Sequence, residues 1–120
     1  MKKILMVGTG GTIASEMTAE GLAPELNTEQ LLEFIPDIGK FCRVDCLQLY
    51  NLDSTNIRPA DWLGVADILR KSYDAYDGFV ISHGTDTMAY TAAALSYLVQ
   101  GSAKPIVLTG AQKPIWFDGT

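Results

Sequence analysis

Short apolar runs, each followed by a polar segment rich in glycine and hydroxyl side chains, constrain this chain most. Ile4 to Val7 runs into Gly8-Thr9-Gly10-Gly11-Thr12-Ile13-Ala14-Ser15. Cys42 to Tyr50, a strand pattern of mixed alternation rather than a continuous run, leads into Asn51-Leu52-Asp53-Ser54-Thr55-Asn56. Phe79 to Ser82 runs into His83-Gly84-Thr85-Asp86-Thr87-Met88, and Pro105 to Leu108 into Thr109-Gly110-Ala111-Gln112. Continuous apolar runs of this length suit parallel strands covered on both faces.

Helical patterns lie between the runs. Thr28 reads as an N-cap, followed by an apolar face of Leu31, Leu32 and Ile35 that Pro36 closes. Arg58-Pro59-Ala60-Asp61 opens a second helix, with Trp62, Val65, Ala66 and Leu69 at helical spacing. Asp77-Gly78 reads as a turn. Ala89 to Val99 is a third helix whose small residues suit close packing, and Gly101 ends it. Residues 9–27 read mostly as a long mobile loop, a length that points to a functional lid. The order is β-loop-α-β-α-β-α-β. It predicts a parallel sheet with helices on both faces, a three-layer Rossmann-like or flavodoxin-like α/β fold.

At 120 residues, 48% of them hydrophobic, the chain predicts one domain with a real core. The net charge of −5 and the absence of a basic patch argue against nucleic acid or an anionic membrane as partner. The apolar run after Lys2-Lys3 stops at Gly8, short of a secretory leader, and no stretch approaches a membrane span. Cys42 and Cys46 share one strand, where four residues separate Cα atoms by about 13 Å, too far for a disulfide. Free thiols fit a reducing compartment, and no second pair or nearby histidine completes a metal site. The stop in a polar segment after the last strand reads as a truncation of a longer protein.

Loops at the carboxyl ends of parallel strands share one crevice. The first loop lacks the third glycine of a dinucleotide fingerprint, because Ile13 stands there, and no Gly-Lys-Ser/Thr follows. Its glycines suit a tight turn; its hydroxyls do not follow from that. A threonine nucleophile needs a base or proton relay and donors for a developing oxyanion. Thr85 supplies a second hydroxyl, with Asp86 beside it at the start of a helix. Thr85, Asp86 and Thr87 fit simple N-capping as well, although one cap would suffice. Asp53, Ser54 and Thr55 fit either a capped turn or a clamp on an amino-acid head group. His83, the only histidine, reads as structural, since neighbouring Ser82 and Asp86 do not generate a triad. Trp62 and Trp116 read as packing residues.

Thr9-Gly10-Gly11-Thr12-Ile13-Ala14 and His83-Gly84-Thr85-Asp86-Thr87 resemble the two signatures of the bacterial-type L-asparaginases. Asp53-Ser54 lies where that family's substrate-binding segment falls. The continuation Met88-Ala89-Tyr90-Thr91-Ala92 is similar to the cytoplasmic, type I branch. The resemblance spans essentially the whole chain. It implies the N-terminal catalytic domain, residues 1–120, of a two-domain enzyme that hydrolyses L-asparagine to L-aspartate and ammonia without metal or cofactor. It implies a nucleophilic Thr12, a second catalytic pair in Thr85 and Asp86, and head-group binding by Asp53, Ser54 and Thr55 with Thr85 and Asp86. It further implies a homodimer or homotetramer, and a closing lid at residues 13–27.

Two departures accompany the same resemblance. The family's lid tyrosine is matched here by Leu22, which has no hydroxyl. The family's catalytic lysine lies on a strand beyond this chain, and neither Lys104 nor Lys113 is assigned its role. An asparaginase-like amidotransferase component, feeding ammonia to a partner, is the alternative with the same fold. A ligand-binding fragment without turnover is the non-enzymatic one.

Overall fold

The computed structural model describes residues 1–24 and 26–119, with the side chains of all of these except Glu16, Thr18, Leu22, Ala23 and Pro24. Nine-residue β1 (Lys2–Gly10) is the inner strand on which the sheet is built. It pairs in parallel with β4 (Cys42–Leu52) on one side and β5 (Gly78–Ser82) on the other. Beyond β5 lies β6 (Ile106–Thr109), also parallel, so the order is β4-β1-β5-β6. The α/β prediction therefore holds: four parallel strands flanked by helices.

Side chains alternate across the pleat, which splits each strand between two faces. Leu5, Val7, Phe79 and Ile81 point to one face. They pack against Val65, Ala66 and Leu69 of α2 (Pro59–Ser72) and Leu95 of α3 (Met88–Leu98). Val7, Ala66, Leu69 and Ile81 have no exposed surface. Full burial of each larger one contributes about 1.5–3 kcal/mol. The helical spacing read from Trp62 to Leu69 is the core face of α2. The small residues of α3 behave otherwise than expected: Thr91 and Leu95 face inward, while Ala89, Ala92 and Ala93 are exposed.

The opposite face carries Ile4, Met6 and Val80. The shorter α1 (Thr28–Glu33) reaches it through Leu31, which packs with Ala14 and Leu26. A single short helix covers only part of four strands, and an apolar cavity of about 370 Å³ remains between Met6, Leu31, Val80 and Val107. The cap of α1 is Asn27, one residue earlier than expected: its side chain accepts from the Gln30 amide while Gln30 reaches back to the Asn27 amide.

The stretch after β1 is more regular than the loop expected there. A short 3₁₀ turn, Thr12–Ala14, leads into an antiparallel hairpin of β2 (Ser15–Thr18) and β3 (Gly21–Pro24). Its strands show little apolar alternation, so periodicity does not reveal them. Two long-range bonds hold the hairpin's base. The Ile115 amide donates to Ile13 at 3.0 Å, and the Trp116 indole to the Ser15 carbonyl at 2.9 Å. Trp116, expected in the packing, is instead 41% exposed and works through its indole nitrogen. Among the described residues no helix is long and apolar enough to cross a membrane. Cys42 and Cys46 are free, and burial pushes the Cys46 thiol upward.

The amino end of the sheet holds a charged cluster. Tyr76 donates to Asp45 at 2.9 Å, with Lys3 at 3.4 Å from the same oxygen. The Tyr76 bond holds the Asp45 carboxyl below its ordinary value of 3.8; desolvation opposes this, and Lys3 and Arg43 assist. A carboxyl depressed by folding stabilises above its unfolded value and loses that contribution as pH falls through the folded one. Asp45→Asn is therefore expected to lower the urea midpoint at about pH 7, and the deficit is expected to shrink as the pH is taken down to about 3. An equal deficit at both values would show that the carboxylate's charge is irrelevant.

Candidate active site

The chain crosses from β1 to β4 through α1 in one direction, and from β5 to β6 through α3 in the other. Between β1 and β5 the connections diverge, which is where open α/β sheets leave a crevice at the carboxyl ends of their strands. The loops after both strands meet there. Gly11 has φ +89°, and a methyl group on it would come within 2.5 Å of the Gly84 nitrogen. A methyl on Gly84 would come within 2.6 Å of the Ser54 Cβ. Only glycines allow these backbones so close. The residues immediately following, Thr12 and Thr85, therefore sit on two touching loops that lie more than half the chain apart in sequence.

Backbone and hydroxyl bonds hold this arrangement. The Gly11 amide donates to the Leu52 carbonyl at 3.0 Å, tying the first loop to the end of β4. The Thr9 hydroxyl donates to the Ser82 carbonyl at 2.7 Å, tying β1 to β5. The Thr87 hydroxyl donates to the Ser54 carbonyl at 2.8 Å, tying the third loop to the second. That last bond bears on the capping reading. Thr87 occupies the N-cap position of α3, yet its side chain makes no cap bond. Its hydroxyl joins two loops instead.

Thr12 opens the 3₁₀ turn and is half-buried, as is Thr85; Asp86 is exposed at the mouth of α3. No described residue bonds to the Thr12 or Thr85 hydroxyl. Asp53 forms the capped turn: its carboxylate accepts from the Thr55 amide and hydroxyl, both at 3.1 Å. Asp53 and Thr55 are exposed, whereas Ser54 between them is buried under Gly84. Leu22 lies on β3 opposite Met17, and its side chain is outside the described residues. Lys104 lies at the other end of the sheet, its ammonium over the Tyr73 ring and bonded to the Tyr73 carbonyl.

His83 is buried, as a structural reading requires. Its Nδ1 meets the Gly84 carbonyl at 2.6 Å and its Nε2 the Thr91 hydroxyl at 2.8 Å. Both nitrogens are occupied, so neither serves Ser82 or Asp86 in a triad. The Trp62 indole donates to the same Thr91 hydroxyl at 2.9 Å. Sequence reasoning missed Thr91, and treated Trp62 as packing alone. The one trace of Thr91 is a hydroxyl placed four residues before Leu95 on the inner face of an alanine-rich helix. Among the described residues no group of three acidic, histidine or cysteine side chains could hold a metal ion.

Residues 3–119 match a family model described as asparaginase, N-terminal. The chain is 42% identical over 115 residues to an L-asparaginase of Thermococcus kodakarensis, covering 94% of this chain and 35% of that protein. The solved structure of that thermostable enzyme superimposes with a TM-score of 0.88 at 40% identity, over 98% of this chain and 36% of the other. L-asparaginase I from Vibrio cholerae gives a TM-score of 0.87 at 37% identity, with the same coverage. A glutamyl-tRNA(Gln) amidotransferase component of Saccharolobus solfataricus is 40% identical over 114 residues, covering 92% of this chain and 26% of that protein. The chain thus spans little more than a third of its asparaginase relatives, and less of the amidotransferase component.

The loop contacts make a stability prediction. Gly84→Ala forces Cβ into Ser54 and should cost about 1–3 kcal/mol in denaturant unfolding. Gly39→Ala, with no atom within 4 Å of the added methyl, should change stability by less than about 0.5 kcal/mol. Equal effects would mean that the loops do not meet as described.

Proposed function

The chain belongs to the asparaginase family, and we propose that it is the N-terminal catalytic domain of an enzyme hydrolysing L-asparagine to L-aspartate and ammonia. The observation that carries the reading is the approach of Gly11 to Gly84, which sets the residues after them, Thr12 and Thr85, on touching loops beyond β1 and β5. Family membership supports amide hydrolysis as the chemistry.

In the proposed reaction Thr12 Oγ attacks the side-chain carbonyl carbon of asparagine. Its proton passes to the departing nitrogen through the second pair, Thr85 and Asp86. The carbonyl oxygen becomes an oxyanion, which backbone N–H groups of the glycine loops stabilise in place of water. Ammonia leaves and an ester on Thr12 remains. A water molecule attacks that ester, releasing aspartate and restoring the hydroxyl. Asp53, Ser54 and Thr55, helped by Thr85 and Asp86, hold the α-ammonium and α-carboxylate. The amino end of α3 favours the negative charge there. The carboxylate of Asp53 keeps acceptor capacity for an ammonium beyond its two bonds to Thr55. No cofactor enters this scheme. The hairpin of β2 and β3 is the proposed lid, with Leu22 in place of the lid tyrosine. We place the protein in the cytoplasm, as a homodimer or homotetramer.

The amidotransferase reading draws on the relative 40% identical to this chain. It uses the same nucleophile and releases the same ammonia, but delivers it to a partner acting on charged tRNA. Ammonia release that rises when such a partner is added favours it.

Ammonia release from L-asparagine, measured on this chain and on a longer polypeptide carrying it, tests the proposal. Thr12→Ala is expected to lower turnover by roughly a thousandfold or more, and Thr12→Ser to keep a measurable fraction. Turnover undiminished in Thr12→Ala would remove the nucleophile assignment.

A further inference from the structure

A fully buried histidine that performs no proposed chemistry needs a reason for its place. The Gly84 carbonyl can only accept a hydrogen bond, so the proton in the 2.6 Å contact sits on His83 Nδ1. In the neutral ring Nε2 is then an acceptor, and the Thr91 hydroxyl donates to it across 2.8 Å. The hydroxyl oxygen in turn accepts from the Trp62 indole, which has no other role than donor. Every bond in the series thus runs one way, from Trp62 through Thr91 and His83 to Gly84.

The last member decides what the series does. The Gly84 carbonyl and the Thr85 N–H belong to one planar trans peptide and point in opposite directions. His83, buried beneath the loop, draws the carbonyl inward. The Thr85 N–H is thereby turned away from the core, and no described residue takes it up. With the proton on Nε2 instead, a ring lone pair would face the carbonyl oxygen and the peptide would be driven to rotate.

We propose that His83 is a positioning residue: the hydrogen-bonded series Trp62–Thr91–His83–Gly84 aims the Gly84–Thr85 peptide so that the Thr85 amide and hydroxyl face the crevice. The inference deepens the function proposed above. Its anchor points lie on α2 and α3, the helices packed on the principal core. The loop's aim is therefore tied to the helices that pack on the sheet. Thr91 is 1% exposed and His83 likewise, so water does not compete for these bonds.

His83 is the only histidine, so one pair of ring nitrogen signals reports on it. Nitrogen-15 NMR of the histidine-labelled protein is expected to show Nδ1 protonated and Nε2 bare. The reverse tautomer would overturn the proposal, whether or not the protein turns over asparagine. Thr91→Val keeps the shape and removes the hydroxyl. It should mix the tautomers, displace the Thr85 amide signal, and lower kcat for L-asparagine by about tenfold or more. Thr91→Ser should restore all three. A merely space-filling His83 would let Thr91→Val change the melting temperature while the Thr85 signal stayed where Thr91→Ser has it, and that outcome also refutes the proposal. Should Thr91→Val fail to fold, Trp62→Phe removes the outermost donor and is read against the same Thr85 signal. An unmoved signal there refutes it equally. Bare Nε2 in a longer polypeptide carrying this chain that shows no asparagine turnover would sustain the positioning role and refute the asparaginase reading alone.

Discussion

Two backbones pass at the carboxyl edge of the sheet closer than any side chain permits, and the crevice depends on that approach. Gly11 lies on Gly84, and Gly84 on Ser54, so three loops from three adjacent strands form one contiguous surface. A Cβ at either glycine would separate them. The loops that carry Thr12 and Thr85 are thus set by residues with no side chain of their own. Interloop bonds from Thr9 and Thr87 then lock strands and loops whose spacing the glycines have set.

The two ends of the sheet divide the work. At the amino end Lys3, Asp45 and Tyr76 form a bonded cluster, and the Lys3 amide also donates to Asp77. Both carboxylates there are held below their ordinary range, Asp45 chiefly by Tyr76 and Asp77 chiefly by the Lys3 backbone. These groups satisfy one another and face away from the crevice. At the carboxyl end the hydroxyls of Thr12 and Thr85 stay unbonded to the described residues. Shifted carboxylates mark structure in this protein, and unclaimed hydroxyls mark the candidate site.

Much of the fold was legible because β1, β5 and β6 carry continuous apolar runs, and those stand out. The ends of elements were less so. β4 continues through Asn51 and Leu52, because the Leu52 backbone pairs with the first loop, a contact that no local pattern announces. The hairpin after Ala14 was hidden for a related reason: Ser15–Thr18 and Gly21–Pro24 pair with each other, and their sequences carry no apolar alternation. At the site, the two signature segments singled out the loops that do meet. Their joining was legible only as a rule about sheet edges. Capping by Thr87 stayed open in the sequence, since a hydroxyl before a helix reads the same whether it bonds its own amides or, as here, a neighbouring loop. The Trp62–Thr91–His83 series was invisible because its members come from two helices and a loop, at spacings that carry no period.

The bonds from Ile115 to Ile13 and from the Trp116 indole to Ser15 span most of the polypeptide. Closing so long a span carries a large entropic cost, so such contacts form only after nearer ones have shortened the path. The segment directly behind the first strand therefore waits for the residues beyond the last. During synthesis β1 emerges before β6, but its own loop acquires these bonds only once the residues after β6 have been made. The order in which the crevice is written and the order in which it is finished run opposite to each other.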